Sequence, residues 1–216
     1  MNVIYEDENL AALNKPAGVN FDWALGERHA SLAGGPELLV VHRLDKDTSG
    51  VILFAKNEKT QEYLRELFKN REIKKSYLAL VVGELKNREG KIELAIGRSA
   101  KNPTKRVAKG KMRGTIREAV TEYEVKKRYG EFTLVQARPK TGRTHQIRSH
   151  FAAIGHPVVC DKLYSGKRFV CPAGLSRQFL HAAALELTLI SGSRLRLEAD
   201  LPKDLANCLS ILDMPK

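Results

Sequence analysis

The segment His42-Arg43-Leu44-Asp45-Lys46-Asp47-Thr48-Ser49-Gly50 sets two carboxylates, two fixed cations and a histidine between the apolar runs Leu38 to Val41 and Val51 to Ala55. A loop that only reverses two strands needs Gly, Asn or Pro at a few places, whereas here charged groups sit where flanking strands hold them rigidly. Taken alone, the same composition more often gives a solvated turn with weak surface ion pairs. Far along the chain, Pro139-Lys140-Thr141-Gly142-Arg143-Thr144-His145-Gln146-Ile147-Arg148-Ser149-His150 gathers polar donors around a helix start. Thr141, Arg143, Thr144 and His145 placed where backbone N–H groups lack partners make an anion site suited to a phosphate or a carboxylate. Together the two segments offer a carboxylate and a fixed cation, a pairing that holds an aspartate ionised at neutral pH.

Strands must carry most of this. Val3 to Tyr5 and Leu10 to Leu13 flank Asp7-Glu8-Asn9 as a hairpin, and the Gly-rich stretch Val19 to Pro36 is irregular. Val51 to Ala55 is too continuously apolar for a half-exposed strand and belongs in the middle of a sheet. Glu58 to Asn70 has helical spacing at Leu64, Leu67 and Phe68, with Asn57 placed as its cap. Tyr77 to Val82 reads as a buried strand and Lys91 to Ile96 as an alternating one; Ala119 to Val125 and Phe132 to Ala137 pair about Tyr129-Gly130-Glu131. Thr144 to Ile154 is a helix ended by Gly155, Leu180 to Ile190 and Leu195 to Ala199 form a last strand pair, and Pro202 opens a terminal helix. The fold class is therefore α+β, a mixed and mainly antiparallel sheet with helices packed on it.

The 216 residues, 43% of them hydrophobic, suffice for one catalytic domain over 1–216. The net charge of +12 is concentrated at 98–117, where Arg98, Lys101, Lys105, Arg106, Lys109, Lys111, Arg113 and Arg117 occur without any Asp, Glu or aromatic residue. This segment reads as a mobile basic arm that nucleic acid, an anionic membrane surface or an acidic protein would attract, each neutralised phosphate releasing counterions; a merely solvated loop is the other reading. No apolar stretch has the length of a spanning helix, and acids at Glu6, Asp7 and Glu8 stand where a signal peptide needs cations, so a cytoplasmic protein is expected. Cys160, Cys171 and Cys208 lack zinc or redox spacing and are expected as reduced thiols. The dispersed histidines suggest no metal site, His145 and His150 being five apart rather than three or four.

These residues resemble the RluA-type pseudouridine synthases. His42 to Gly50 is similar to that family's nucleophile loop, and Thr141 to Arg148 with Gly155-His156-Pro157 is similar to its later motif. Asn14-Lys15-Pro16-Ala17-Gly18, Lys75-Ser76-Tyr77-Leu78-Ala79-Leu80 and Leu180-His181-Ala182 follow in the family's order, so the likeness runs from about residue 2 to 205. It departs at Cys160, where the family often has glycine, and at Ile190-Ser191-Gly192-Ser193, which lacks a His-Pro.

The resemblance implies an RNA uridine isomerase that needs neither a metal nor a redox cofactor. Asp45 would be the catalytic nucleophile or base, favoured over Asp47, which is left to the turn. Arg148 would pair with that aspartate, and Tyr77 would pack on the target base and assist loss of its C5 proton. Arg43 would enter the stack vacated by a flipped uridine. Lys15 would charge the pocket entrance, Arg143 would meet phosphate, and His145 with Gln146 would orient Arg148 or the RNA. Lys105, Arg106, Lys109 and Lys111 would supply RNA affinity from the arm. With Asn14-Lys15-Pro16 so near the start, no N-terminal S4-like RNA-binding module is expected. A monomer acting on ribosomal RNA, the large-subunit RNA first, is the leading expectation and transfer RNA the second. A non-catalytic RNA-binding or ribosome-assembly protein of the same fold is the rival.

Overall fold

Ser49–Ala55 (β4) is buried at every position, which is what a continuously apolar strand with neighbours on both sides requires. The computed structural model describes residues 2–22, 38–172 and 174–214, so the expected irregular stretch Val19 to Pro36 lies outside it from residue 23 on. The chain packs into two compact units. One comprises Met1–Lys75 with Ala182–Asp200, and the other Ser76–His181 with Leu201–Lys216.

In the first unit Asn2–Glu6 (β1) and Leu10–Lys15 (β2) form the expected hairpin, Asp7 accepting the Asn9 and Leu10 N–H groups in its turn. β2 pairs antiparallel with β4, which also takes the short Leu39–Val40 (β3). Leu180–Thr188 (β12) enters this unit at Ala182, lies beside β4 and pairs with Arg194–Glu198 (β13). The helix Glu58–Lys69 (α1) begins where Asn57 accepts the Thr60 N–H at 2.9 Å. It buries Leu64 and Leu67 against Leu53, Leu185 and Leu197. Each such fully buried side chain contributes about 1.5–3 kcal/mol.

The second unit is built on Lys74–Val82 (β5), Phe132–Pro139 (β11), Val120–Tyr129 (β10) and Glu89–Glu93 (β6), neighbours in that order and all antiparallel. Gln146–Ala153 (α2) packs Ile147 and Phe151 on one side of this sheet. Lys203–Leu212 (α3) closes a separate cluster of Leu80, Leu134, Phe179, Leu205 and Cys208. The architecture is α+β with mainly antiparallel strand pairing, as the alternating sequence pattern implies.

Two expectations are corrected. The basic segment forms strands rather than an irregular loop: Ile96–Ser99 (β7), Arg106–Val107 (β8) and Met112–Arg117 (β9) make a three-stranded sheet in the order β8-β7-β9. Ile96, Ala108 and Ala119 make a small buried cluster beneath it, against Ala153 of α2. The expected continuous strand Lys91 to Ile96 is accordingly split between β6 and β7. The thiols are not all reduced either. Cys160 is joined to Cys171 in a disulfide, and Cys208 stays free and buried.

Candidate active site

The loop before β4 is fastened at several points, all within the first unit. Gln61 and Arg65 of α1 both donate to the Val40 carbonyl, at 3.0 and 3.1 Å, fixing the strand that leads in. Next, His42 accepts the Leu53 N–H on Nε2 at 2.8 Å and stacks on Phe68. Burial, helped by the positive charge of Lys75, pushes the His42 pKa down from 6.5 to about 3, so the ring is a neutral acceptor at physiological pH. Leu44 is buried, while Asp45 is half-buried and its carbonyl accepts the Thr48 N–H at 3.0 Å in a tight turn over Lys46 and Asp47.

Gly50 closes the turn, and only glycine fits. Its φ is +114°, and a Cβ there would lie 2.1 Å from the Ala182 carbonyl oxygen of β12. Arg43 is exposed, its guanidinium 4.7 Å above the Phe21 ring. Lys15 ends β2. It is fully buried, and its ammonium donates to the carbonyls of Pro16, Val19 and Lys46 at 2.8–2.9 Å. These bonds tie the Pro16-Ala17-Gly18 turn to the Asp45 loop, where the Lys46 carbonyl also accepts the Gly18 N–H.

In the second unit, Tyr77 stands on β5 opposite Ala137, half-buried on the cluster that holds Ile147 and Phe151. Arg148 projects from α2 into the interior. Its Nε and Nη2 reach the two oxygens of Asp161 at 2.7 and 3.0 Å, and Asp161 is fully buried. The same carboxylate shapes its own loop, since Oδ1 also accepts the Leu163 and Tyr164 N–H groups. A buried bidentate pair with further donors is the geometry in which an interior arginine stays charged and fixed. Sequence reasoning pairs Arg148 with Asp45 and does not name Asp161. The available signal is an Asx-turn pattern, Asp161-Lys162-Leu163-Tyr164, directly after the apolar run Val158 to Cys160.

At the start of α2, where an anion site is expected, Gln146 bonds to its neighbours. The Gln146 carboxamide oxygen takes the Thr141 hydroxyl at 2.7 Å and the Arg143 N–H at 3.0 Å, while its amide donates to Val120 O and Thr121 Oγ1. Arg143 Nε donates to the Glu118 carbonyl, and His145, at φ +56°, contacts the Tyr164 hydroxyl through Nδ1 at 2.9 Å. Lys105 and Arg106 are half-buried beside Tyr164, whereas Lys109 and Lys111 are exposed. Among the described residues no three His, Cys, Asp or Glu side chains gather where they could hold a metal ion.

The sequence profile described as RNA pseudouridylate synthase matches residues 9–153, which include Asp45, Tyr77 and Arg148. This chain belongs to the pseudouridine synthase family. It is 36% identical over 223 aligned residues to the ribosomal large subunit pseudouridine synthase C of Escherichia coli K12, covering 97% of this chain and 69% of that protein. With the ribosomal large subunit pseudouridine synthase D of Xylella fastidiosa the identity is 38%, over 98% and 69%. Among solved structures, human RNA pseudouridylate synthase domain containing 1 aligns with a TM-score of 0.80 at 28% identity, over 96% of this chain and 86% of that one. Human RNA pseudouridylate synthase domain containing 4 aligns at 0.77 and 26%, over 100% and 95%. The chain is an RNA pseudouridine synthase of the RluA type, an isomerase.

Proposed function

We propose that this pseudouridine synthase modifies uridines of large-subunit ribosomal RNA, with Asp45 as its nucleophile. The observation that carries the reading is the identity of 36–38%, across nearly the whole chain, with enzymes named for that subunit. Asp45 lies in a loop clamped by His42, Lys15 and Gly50, which suits a group that must meet a reacting carbon with little reorganisation. The bond between ribose C1′ and uracil N1 breaks, the base turns, and C5 bonds to C1′ while its proton leaves and N1 gains one. Atoms and charge balance without an external reactant, so the site must exclude water rather than recruit it.

In this reading Arg148 is the cation that keeps the aspartate ionised, and Asp161 holds its guanidinium in one orientation. Tyr77 packs on the target base and helps to take the C5 proton. Arg43 takes the place of the extruded uridine, where its exposure and its stacking on Phe21 suit it to lie between bases. Lys105, Arg106, Lys109 and Lys111, together with Arg143 and His145, supply RNA contacts from a formed sheet and the adjoining helix start. The enzyme works as a monomer in the cytoplasm, and transfer RNA is the second substrate class.

The test is to map pseudouridines across cellular RNA by adduct-dependent reverse-transcription stops, in cells with the wild-type protein and in cells lacking it. Stops in large-subunit RNA that vanish with the protein support the proposal. Lost stops confined to transfer RNA transfer it to that substrate, and an unchanged map overturns it.

A further inference from the structure

Tyr164 belongs to none of the motifs that carry the family likeness, yet four functional elements of the second unit converge on it. Its ring lies 5.0 Å from the Arg148 guanidinium carbon and 4.9 Å from the Lys105 ammonium. Its hydroxyl accepts the backbone N–H of Arg106 at 3.0 Å and, having done so, has its own proton to give to Nδ1 of His145 at 2.9 Å. The ring is buried, and its backbone is held by Asp161, the same residue that grips Arg148. A cation over a desolvated aromatic face is attracted to the ring's negative quadrupole, which restricts where a guanidinium can settle. A hydroxyl bonded to the backbone of β8 fixes that short strand, which among the described residues has only β7 as a sheet partner.

We propose that Tyr164 is a positioning residue with two separable parts: its ring holds the Arg148 guanidinium in its working orientation, and its hydroxyl holds the basic sheet in its RNA-binding conformation. The inference rests on the pseudouridine synthase reading of Arg148 and the basic strands, and it makes Tyr164 the point where RNA engagement and the reacting end of the site are mechanically joined. Tyr164→Phe keeps the ring and loses both hydroxyl bonds. Tyr164→Leu loses both parts.

The experiment measures release of tritium from C5 of uridine in an unmodified transcript of large-subunit ribosomal RNA, for the wild type and both variants over a range of RNA concentrations. Tyr164→Leu should lower kcat about tenfold and raise KM. Tyr164→Phe should restore kcat to within about twofold of wild type while KM stays raised by about threefold or more. A generic structural role would move both parameters together with thermal stability, so equal effects of Phe and Leu on kcat overturn the proposal, as does a wild-type kcat in the Leu variant. Should Tyr164→Leu not fold, Tyr164→Phe decides alone, because an unchanged KM removes the hydroxyl's assigned role. Tritium release by the wild type is read first, and its absence counts against the parent reading rather than against Tyr164.

Discussion

Acidification should weaken this protein through one identifiable ring. His42 accepts the Leu53 N–H on Nε2, lies against Phe68, and is held at a pKa of about 3 by burial and the charge of Lys75. A proton on Nε2 would set a donor against a donor. Because the folded pKa lies below the ordinary 6.5, the unfolded chain binds the proton first as pH falls. The contribution is fully present above pH 6.5 and is lost progressively as pH falls from 6.5 toward 3. In that window the slope approaches about 1.4 kcal/mol per pH unit, which integrates to about 2 kcal/mol between pH 7 and pH 5. Urea unfolding at pH 7, 6 and 5 measures it, with His42→Gln as the reference because a carboxamide oxygen can still accept the Leu53 N–H. His150, also pushed down by burial, is common to both proteins and cancels. The wild type should lose about 2 kcal/mol more than the variant over this range, and equal losses would refute the reasoning. Since His42 begins the loop that carries Asp45, activity should fall over the same window.

Gly50→Ala should destabilise the fold by more than about 3 kcal/mol, because both the φ of +114° and the Ala182 carbonyl exclude a methyl group; a shift in the urea midpoint reads this, and a neutral result would contradict the geometry. Asp161→Asn leaves the Arg148 charge buried against a neutral partner and should cost about 3–5 kcal/mol, with activity reduced beyond what unfolding explains. Denatured without reductant, the chain should take iodoacetamide at Cys208 alone, and mass spectrometry should find Cys160 and Cys171 linked; labelling at all three would show that the disulfide does not form.

Much of the fold is legible because its strands obey simple rules. Val51 to Ala55 is apolar without a break and is central; Val120–Tyr129 and Phe132–Pro139 alternate and pair about Gly130. The basic segment misleads because the apolar residues buried with it, Ile96, Ala108 and Ala119, are too few and too widely spaced to announce a sheet. The Cys160–Cys171 pair, eleven residues apart, matches no metal or redox spacing and depends on tertiary proximity alone. At the site, the residue types of the His42 loop and of Arg148 are visible in sequence, whereas their holders are not. Lys15 looks like any surface cation until its ammonium is found among three carbonyls. Asp161 and Tyr164 carry no charge pattern that separates them from an ordinary turn.

The most direct test of the central claim is the conversion of uridine to pseudouridine in a large-subunit ribosomal RNA transcript by purified wild-type protein and by Asp45→Asn. The substitution preserves shape and removes the nucleophilic carboxylate. Wild type should convert discrete uridines, and Asp45→Asn should bind the same RNA with its fold intact while its rate falls by at least about a thousandfold. Conversion by Asp45→Asn at the wild-type rate would contradict the assignment of Asp45.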